Sequence, residues 1–294
     1  VEIATIVAGV DGSPGSLLAV DWAARQAYRR GLGLRLVNAC VRERYEQGVA
    51  DDGERGSERA QVQDLLSTAA ERAHVQCPGI RMGREVIADE PVSGLLDLDR
   101  LAPLLVLGAR GAGGFHDLLL GSVGLRVAAR AAFPVVVVRG PAPRPAHQRP
   151  RVVLGLGPNM CAEATQFAVQ EAVLRQADLH LVHAWPTDST DAFALMNTAA
   201  GHVAHLLDDT PALGVTGAFR VQVEHKSTHG PAAKVLLHQA GSADLVVVGA
   251  HRCQGHLGLQ LGPVNHAVLH YAPCPVAVVA DQDHPHRKQT PPSR

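Results

Sequence analysis

Two segments of this 294-residue chain combine residue types suited to a phosphorylated ligand. The first is Gly9-Val10-Asp11-Gly12-Ser13-Pro14-Gly15-Ser16, and the second runs from Gly108-Ala109-Arg110-Gly111 through Gly113-Gly114 to Gly121-Ser122. Glycines let a backbone pass close to an anion and turn its N–H groups inward. Ser122 stands before a stretch of helical spacing, Val123 to Ala132, and is expected as its N-cap, where free N–H groups and the helix dipole favour negative charge. Arg110 adds a cation within reach of phosphate. Asp11 is ill suited to face phosphate, but its carboxylate can accept hydrogen bonds from ribose hydroxyls or an exocyclic amine. The two segments together imply a whole nucleotide. Each also has a plainer reading: Asp11-Gly12-Ser13-Pro14 as a turn with Asp or Ser capping a helix, and Gly111 to Gly114 as a surface loop.

Other signatures fail on their residues. There is no GxxxxGK[ST], and Gly111-Ala112-Gly113-Gly114 does not complete GxGxxG. Leu120 stands where a GxSxG elbow needs its first glycine, so Ser122 is a poor hydrolase nucleophile. Five cysteines without a CxxC favour neither a disulfide framework nor a zinc ribbon. The close histidine pairs His202/His205, His225/His229, His266/His270 and His284/His286 lack accompanying carboxylate or cysteine ligands.

The elements that must position the two segments follow from hydrophobic periodicity. Apolar runs at Ile3 to Val10, Leu34 to Cys40, Glu85 to Ala88, Leu104 to Leu107 and Val135 to Val138 read as strands. Between them Ser16 to Arg30, Glu58 to Val75, Val92 to Asp99 and Val123 to Ala132 read as helices. Strands alternating with helices mean parallel β/α units with helices on both faces of an open sheet. In such a sheet ligands bind beyond the carboxyl ends of the strands, where strand order reverses.

The pattern occurs twice. Val7-Ala8-Gly9-Val10 recurs as Val153-Leu154-Gly155-Leu156, Val106-Leu107-Gly108-Ala109 as Val247-Val248-Gly249-Ala250, and Phe133-Pro134-Val135 as Cys274-Pro275-Val276, at a nearly constant spacing of about 141–146 residues. Four prolines between Gly140 and Pro150 mark a stiff connector. The expected organisation is a first domain over 1–140, a linker over 141–150, a second domain over 151–280 and a frayed tail over 281–294.

Composition narrows the partners. Hydrophobic residues are 46% and charged residues 19%, enough apolar material for full cores. Lys+Arg 27 against Asp+Glu 28 leaves a net charge of −1, and only two Trp, three Tyr and five Phe are present, so nucleic acid is not an expected partner. No apolar run has membrane-spanning length and Val1 to Thr5 shows no leader pattern, so a cytoplasmic, membrane-independent protein is expected.

At these residues the chain resembles the universal stress protein family in its tandem form. The resemblance rests on Val7-Ala8-Gly9-Val10-Asp11-Gly12-Ser13 and on the family's ATP-binding pattern G-x2-G-x9-G-[ST], met in full by Gly108, Gly111, Gly121 and Ser122. It implies two flavodoxin-like doubly wound parallel sheets of strand order 3-2-1-4-5, with ATP, with or without Mg, between strands one and four. It also implies that Asp11 engages the adenosine portion, that Ala39 lies near adenine, and that the glycines with Ser122 hold phosphates. Gly9, Arg110 and Val123 complete the candidate set.

The second half departs from this pattern. Gly157 stands at the place of Asp11, Arg252 at the second glycine and Pro263 at the serine, so nucleotide is expected in the first half alone. The leading expectation is an ATP-binding regulatory module of the stress response, with hydrolysis slow or absent and an unidentified protein partner reading the bound state. An ATP-hydrolysing or phosphate-transferring enzyme using the same cradle is the alternative, with His116, Asp117 and Asp11 as nearby groups. A flavin-binding scaffold of related fold is a third. The apolar fifth strands, Val135 to Val138 and Val276 to Val279, need covering and imply an intramolecular pseudo-dimer or a homodimer.

Overall fold

The computed structural model describes residues 4–40, 52–98, 102–111, 120–140, 149–185, 191–209, 220–250 and 261–281, with side chains of 52–58 and 191–193 left aside. Residues 141–148 of the expected linker over 141–150, residues 282–294 of the expected tail over 281–294, and the loop residues His116, Asp117 and Arg252 lie outside them.

The first half contains β1 (Thr5–Gly9), α1 (Pro14–Arg30), β2 (Gly33–Cys40), α2 (Asp52–Gln76) and β3 (Met82–Ala88), then α3 (Pro91–Leu96), β4 (Leu105–Gly108), α4 (Ser122–Arg130) and β5 (Val135–Val138). The second half repeats the order with β6 (Arg151–Leu156), α5 (Ala162–Arg175), β7 (Asp178–Trp185), α6 (Asp191–Asp208) and β8 (Val223–His229). It continues with α7 (Ala232–Ala240), β9 (Leu245–Ala250), α8 (Pro263–Tyr271) and β10 (Val276–Ala280). All ten strands join one sheet in the order β3-β2-β1-β4-β5-β10-β9-β6-β7-β8, so each half has the flavodoxin-like order 3-2-1-4-5.

Within each half the strands are parallel, whereas β5 and β10 pair antiparallel with Val276 opposite Val137 and Val278 opposite Val135. Both fifth strands are wholly apolar or alanine and fully buried. Either would be an exposed, aggregation-prone edge if its half stood alone, and each covers the other.

Side-chain alternation sorts the core into two layers. Ile6, Ala8, Leu34 and Leu36 belong to a layer that also holds buried residues of α1, α2, α5 and α6. Val7, Val37, Leu105 and Leu107 belong to the other layer, with buried residues of α3, α4, α7 and α8. Each layer runs through both halves, so the sheet buries two continuous cores rather than four separate ones.

On the first of these faces α1 meets α5 through buried polar groups. Gln26 and Glu171 are both 0% exposed. The Glu171 carboxylate accepts from Arg30 at 2.6 Å, from Arg175 at 2.8 Å and from the Gln26 amide. Arg175 also donates to the Gln26 carbonyl oxygen at 2.9 Å. Trp22 and Phe167 stack on Arg175 and Arg30 at 5.0 and 5.6 Å, so both cations are flanked by aromatic faces as well as by the carboxylate.

Three elements differ from the sequence reading. α2 begins at Asp52, not Glu58, and α3 covers Pro91–Leu96, not Val92 to Asp99. The Glu90 side chain accepts from the N–H groups of Val92 and Ser93, so α3 starts at Pro91 with a proper cap. β3 begins at Met82, because Gly83 and Arg84 are exposed on an edge strand and carry no apolar alternation to reveal it.

Candidate functional site

β1 and β4 lie side by side in parallel, with Val7 opposite Leu105 and Ala8 opposite Val106, so the loops after Gly9 and Gly108 leave on the same side. This is where strand order reverses, since β2 lies on the other flank of β1. A cavity of about 520 Å³ opens there. Gly9, Asp11, Ala39, Gly108, Arg110, Gly111, Gly121, Ser122 and Val123 all line it. Residues some 110 positions apart in the chain are thereby brought to one cleft of the size typical of small-molecule sites.

Ser13 holds the first loop. Its Oγ accepts from the Ser16 N–H at 3.1 Å as N-cap of α1, and its own N–H donates to Asp11 Oδ1 at 3.0 Å. The hydroxyl also lies 2.6 Å from Asp11 Oδ1 and 3.0 Å from the Arg110 carbonyl oxygen, so it ties one loop to the other. The plainer reading of this segment as a capped turn is therefore correct, and it coexists with Asp11 facing the cavity. From β2, Asn38 donates to the Val10 carbonyl at 2.7 Å and fixes the strand end beside Ala39.

The second loop is closed by the Gly121 N–H, which donates to the Ala109 carbonyl at 2.7 Å. That bond sets Gly121 in extended backbone, φ −69° and ψ 148°, and makes it the N-cap of α4. Ser122 is consequently the first helical residue and not the cap expected from sequence. No side chain caps this helix and no acid lies in its first turn. The N–H groups of Ser122, Val123 and Gly124 precede the first helical hydrogen bond, Leu125 N–H to Gly121 O, and all three residues line the cavity.

The glycines separate by role. A Cβ on Gly108 would stand 2.6 Å from the Ser16 backbone nitrogen, so this glycine lets α1 settle on β4. A Cβ on Gly111 would meet Asp11 Oδ2 at 2.6 Å, whereas one on Gly121 finds only ordinary contacts from 3.5 Å upward. Charge at the site is mixed: Asp11 and Arg110 are exposed at its mouth. Burial, and after it the Arg110 guanidinium, holds Arg139 below the ordinary arginine range, so two cations neighbour this loop.

Sequence reasoning missed the apolar wall. Val37, Pro91, Leu95 and Leu107 line the cavity together with Gly121, Ser122 and Gly124. Pro91 and Leu95 come from α3, a six-residue helix whose place over the carboxyl end of the sheet no local pattern announces. Among the described residues no group of three His, Cys, Asp or Glu is arranged to hold a metal ion. Of the histidine pairs, His266 and His270 stack at 4.4 Å, and His205 meets Asp209 at 2.8 Å.

The second half has a smaller cavity of about 360 Å³ at the corresponding place, lined by Gly157, Asn159, His183, Ala184, Gly262, Pro263 and Asn265 among others. α5 has 14 residues against 17 in α1, because its first turn is replaced by the loop around Gly157-Pro158-Asn159 and Cys161 takes the capping role.

A duplicated doubly wound α/β protein with an anion-compatible cleft at the first switch point is the class these features define. The chain belongs to the universal stress protein family, whose family model matches residues 2–139 and 149–280. It is 31% identical over 300 residues to Universal stress protein Rv1996 of Mycobacterium tuberculosis, covering 93% of this chain and 94% of the relative. It is 29% identical to Universal stress protein Rv2623 of the same organism, covering 94% and 96%. A universal stress protein from Archaeoglobus fulgidus shares the fold with a TM-score of 0.69 at 18% identity, over 96% of this chain and 100% of that one. Among the described residues no helix is long and apolar enough to cross a membrane.

Proposed function

We propose that the first-half cavity binds ATP and that the chain works as a nucleotide-responsive regulatory module of the stress response. The observation that carries this reading is the open N-terminus of α4: three backbone N–H groups without side-chain caps line a 520 Å³ cleft that also contains Asp11. Such an end attracts phosphate through its N–H groups and dipole. The apolar wall of Ala39, Leu95 and Leu107 suits the flat base, and Asp11 suits the ribose hydroxyls. Mg would ride on the phosphates, with Asp11 as the one lining carboxylate among the described residues.

Binding rather than turnover fits the chemistry on hand. Asp11 Oδ1 is engaged by Ser13, which leaves it poorly placed as a general base. The stress-response role follows the family to which the chain belongs. In the second half Pro263 supplies neither hydroxyl nor N–H at the first helical position, so one ATP per chain is expected. Calorimetric titration with ATP tests this. A stoichiometry near one, abolished by G121V with circular dichroism unchanged, is the expected result; undiminished affinity in G121V would move the phosphate site elsewhere.

A further inference from the structure

The outer surface of α1 is unlike its counterpart in the second half. Arg25, Tyr28 and Arg29, at the i, i+3 and i+4 spacing that shares one side of a helix, are all exposed. Their repeat positions on α5, at the spacing that relates Arg30 to Arg175, hold Gln170, Val173 and Leu174, which are uncharged and buried or half-buried. The fold therefore builds the same helix contact without arginine or an exposed tyrosine at these places.

α2 extends this surface. Arg72 holds Asp21 through two hydrogen bonds, at 2.7 and 2.6 Å, and Arg25 donates to the Gln76 side chain at 3.1 Å. These links seat the last turns of α1 and α2 together and bring Val75, the residue before Gln76, beside the exposed side of α1. Tyr28 is 66% exposed and Val75 77%, two of the three large hydrophobic residues so exposed among the described residues.

Cations here exceed the carboxylates available to them. Asp21 is engaged by Arg72, and Glu171 by Arg30, Arg175 and Gln26. Glu71, one turn before Val75, bonds to neither Arg25 nor Arg29. Arg25 has a neutral amide as its partner, and Arg29 makes no hydrogen bond or ion pair among the described residues. Partial burial first, then the charge of Arg175, holds Arg29 below the ordinary arginine range.

We infer that this surface is the docking site for a short acidic segment of another protein, one that carries an apolar side chain among its carboxylates. Arginine meets a carboxylate with a two-bond fork, and arginine with tyrosine is the composition that dominates interface energetics. Tyr28 and Val75 offer the apolar side chain a contact that excludes water. Nucleic acid needs several neutralised phosphates and an anionic membrane a cluster of about four to eight cations. Two arginines on a chain of net charge −1 supply neither. The inference is independent of what the first cavity binds.

Fluorescence anisotropy of the full chain with a labelled peptide of glutamates around a single tryptophan tests the inference. Affinity should fall about ten-fold or more in R25E/R29E, and equally when glutamines replace the glutamates of the peptide. Q170E, at the repeat position of Arg25, should leave binding unchanged. In the unaltered protein the Val75 methyl resonances should shift on adding the peptide, a reading that does not depend on any variant folding. Absence of those shifts, undiminished affinity in R25E/R29E, or equal binding of the glutamine peptide would overturn the inference. So would single-stranded DNA or phosphatidylserine vesicles that shift Val75 where the peptide does not.

Discussion

Ser122 and Pro263 occupy the same position in two copies of one motif, and that single difference offers a clean experiment. Proline is favoured at the first helical position, so S122P should leave α4 intact while removing one N–H and one hydroxyl from the cleft. A charge-assisted hydrogen bond is worth about 1.5–3 kcal/mol, so ATP affinity should fall roughly ten- to a hundred-fold, measured by calorimetry with thermal stability as control. Asp11 can be dissected similarly. D11N keeps an oxygen for the Ser13 N–H and should preserve the turn, whereas D11A loses both the turn bond and the ribose acceptor. ATP should bind D11N more tightly than D11A, and equal losses would show that the turn bond is irrelevant to the site. The glycine pattern made this cleft legible in the sequence because close backbone approach demands a residue type. Its apolar wall was not legible, since Val37, Leu95 and Leu107 read as ordinary core until the fold aims them at the cleft. Gly108 shows the converse: its motif position suggested phosphate, and its contact with Ser16 shows a packing need.

At the scale of elements, the α1–α5 contact makes stability depend on acid pH. Burial alone would raise the Glu171 carboxyl, but Arg175 and Arg30 outweigh it and hold the group below its ordinary 4.5. A carboxylate so depressed contributes stability at neutral pH, and that contribution is lost as pH falls below the ordinary carboxylate range. His180 acts at higher pH. Burial first, then Arg151, keeps its ring below 6.5, so the unfolded chain takes up the proton more readily and stability starts to decline as pH drops under 6.5. Thermal melts between pH 8 and pH 3 should show both declines, and E171Q should flatten the lower one. At neutral pH E171A should cost about 3–5 kcal/mol, because two arginines lose their buried counter-charge. Core strands and the helix α1 were readable from periodicity alone, whereas the first six residues of α2 were not. The edge strand β3 and the short α3 were not, because edge exposure and brevity erase the pattern that periodicity needs.

For the whole molecule the decisive feature is the seam. β5 and β10 turn two sheets into one, and the two core layers pass across the join without interruption. Unfolding should therefore be a single cooperative event, with coincident transitions by circular dichroism and by fluorescence of Trp22 and Trp185, one in each half. Two separated transitions would mean that the seam couples the halves weakly. The doubled sequence announced two copies of one fold, and the apolar fifth strands announced that they needed covering. The antiparallel register between them is a property of two surfaces meeting and has no local sequence signal.

Gln26 and Glu171 sit at equivalent places in the two copies, as do Arg30 and Arg175, and they face each other where α1 meets α5. A dimer of identical chains must put the same residue on both sides of its axis. Two copies of the first half would oppose glutamine to glutamine and leave the arginines without a carboxylate; two of the second would oppose buried carboxylates. Joining the halves in one polypeptide frees the axis from that restriction, so one side can become the acceptor and the other the amide. Duplication thus gave this protein an inheritance in which each half is the other's obligatory complement. Halves produced separately should, on mixing, form unlike pairs in preference to like ones.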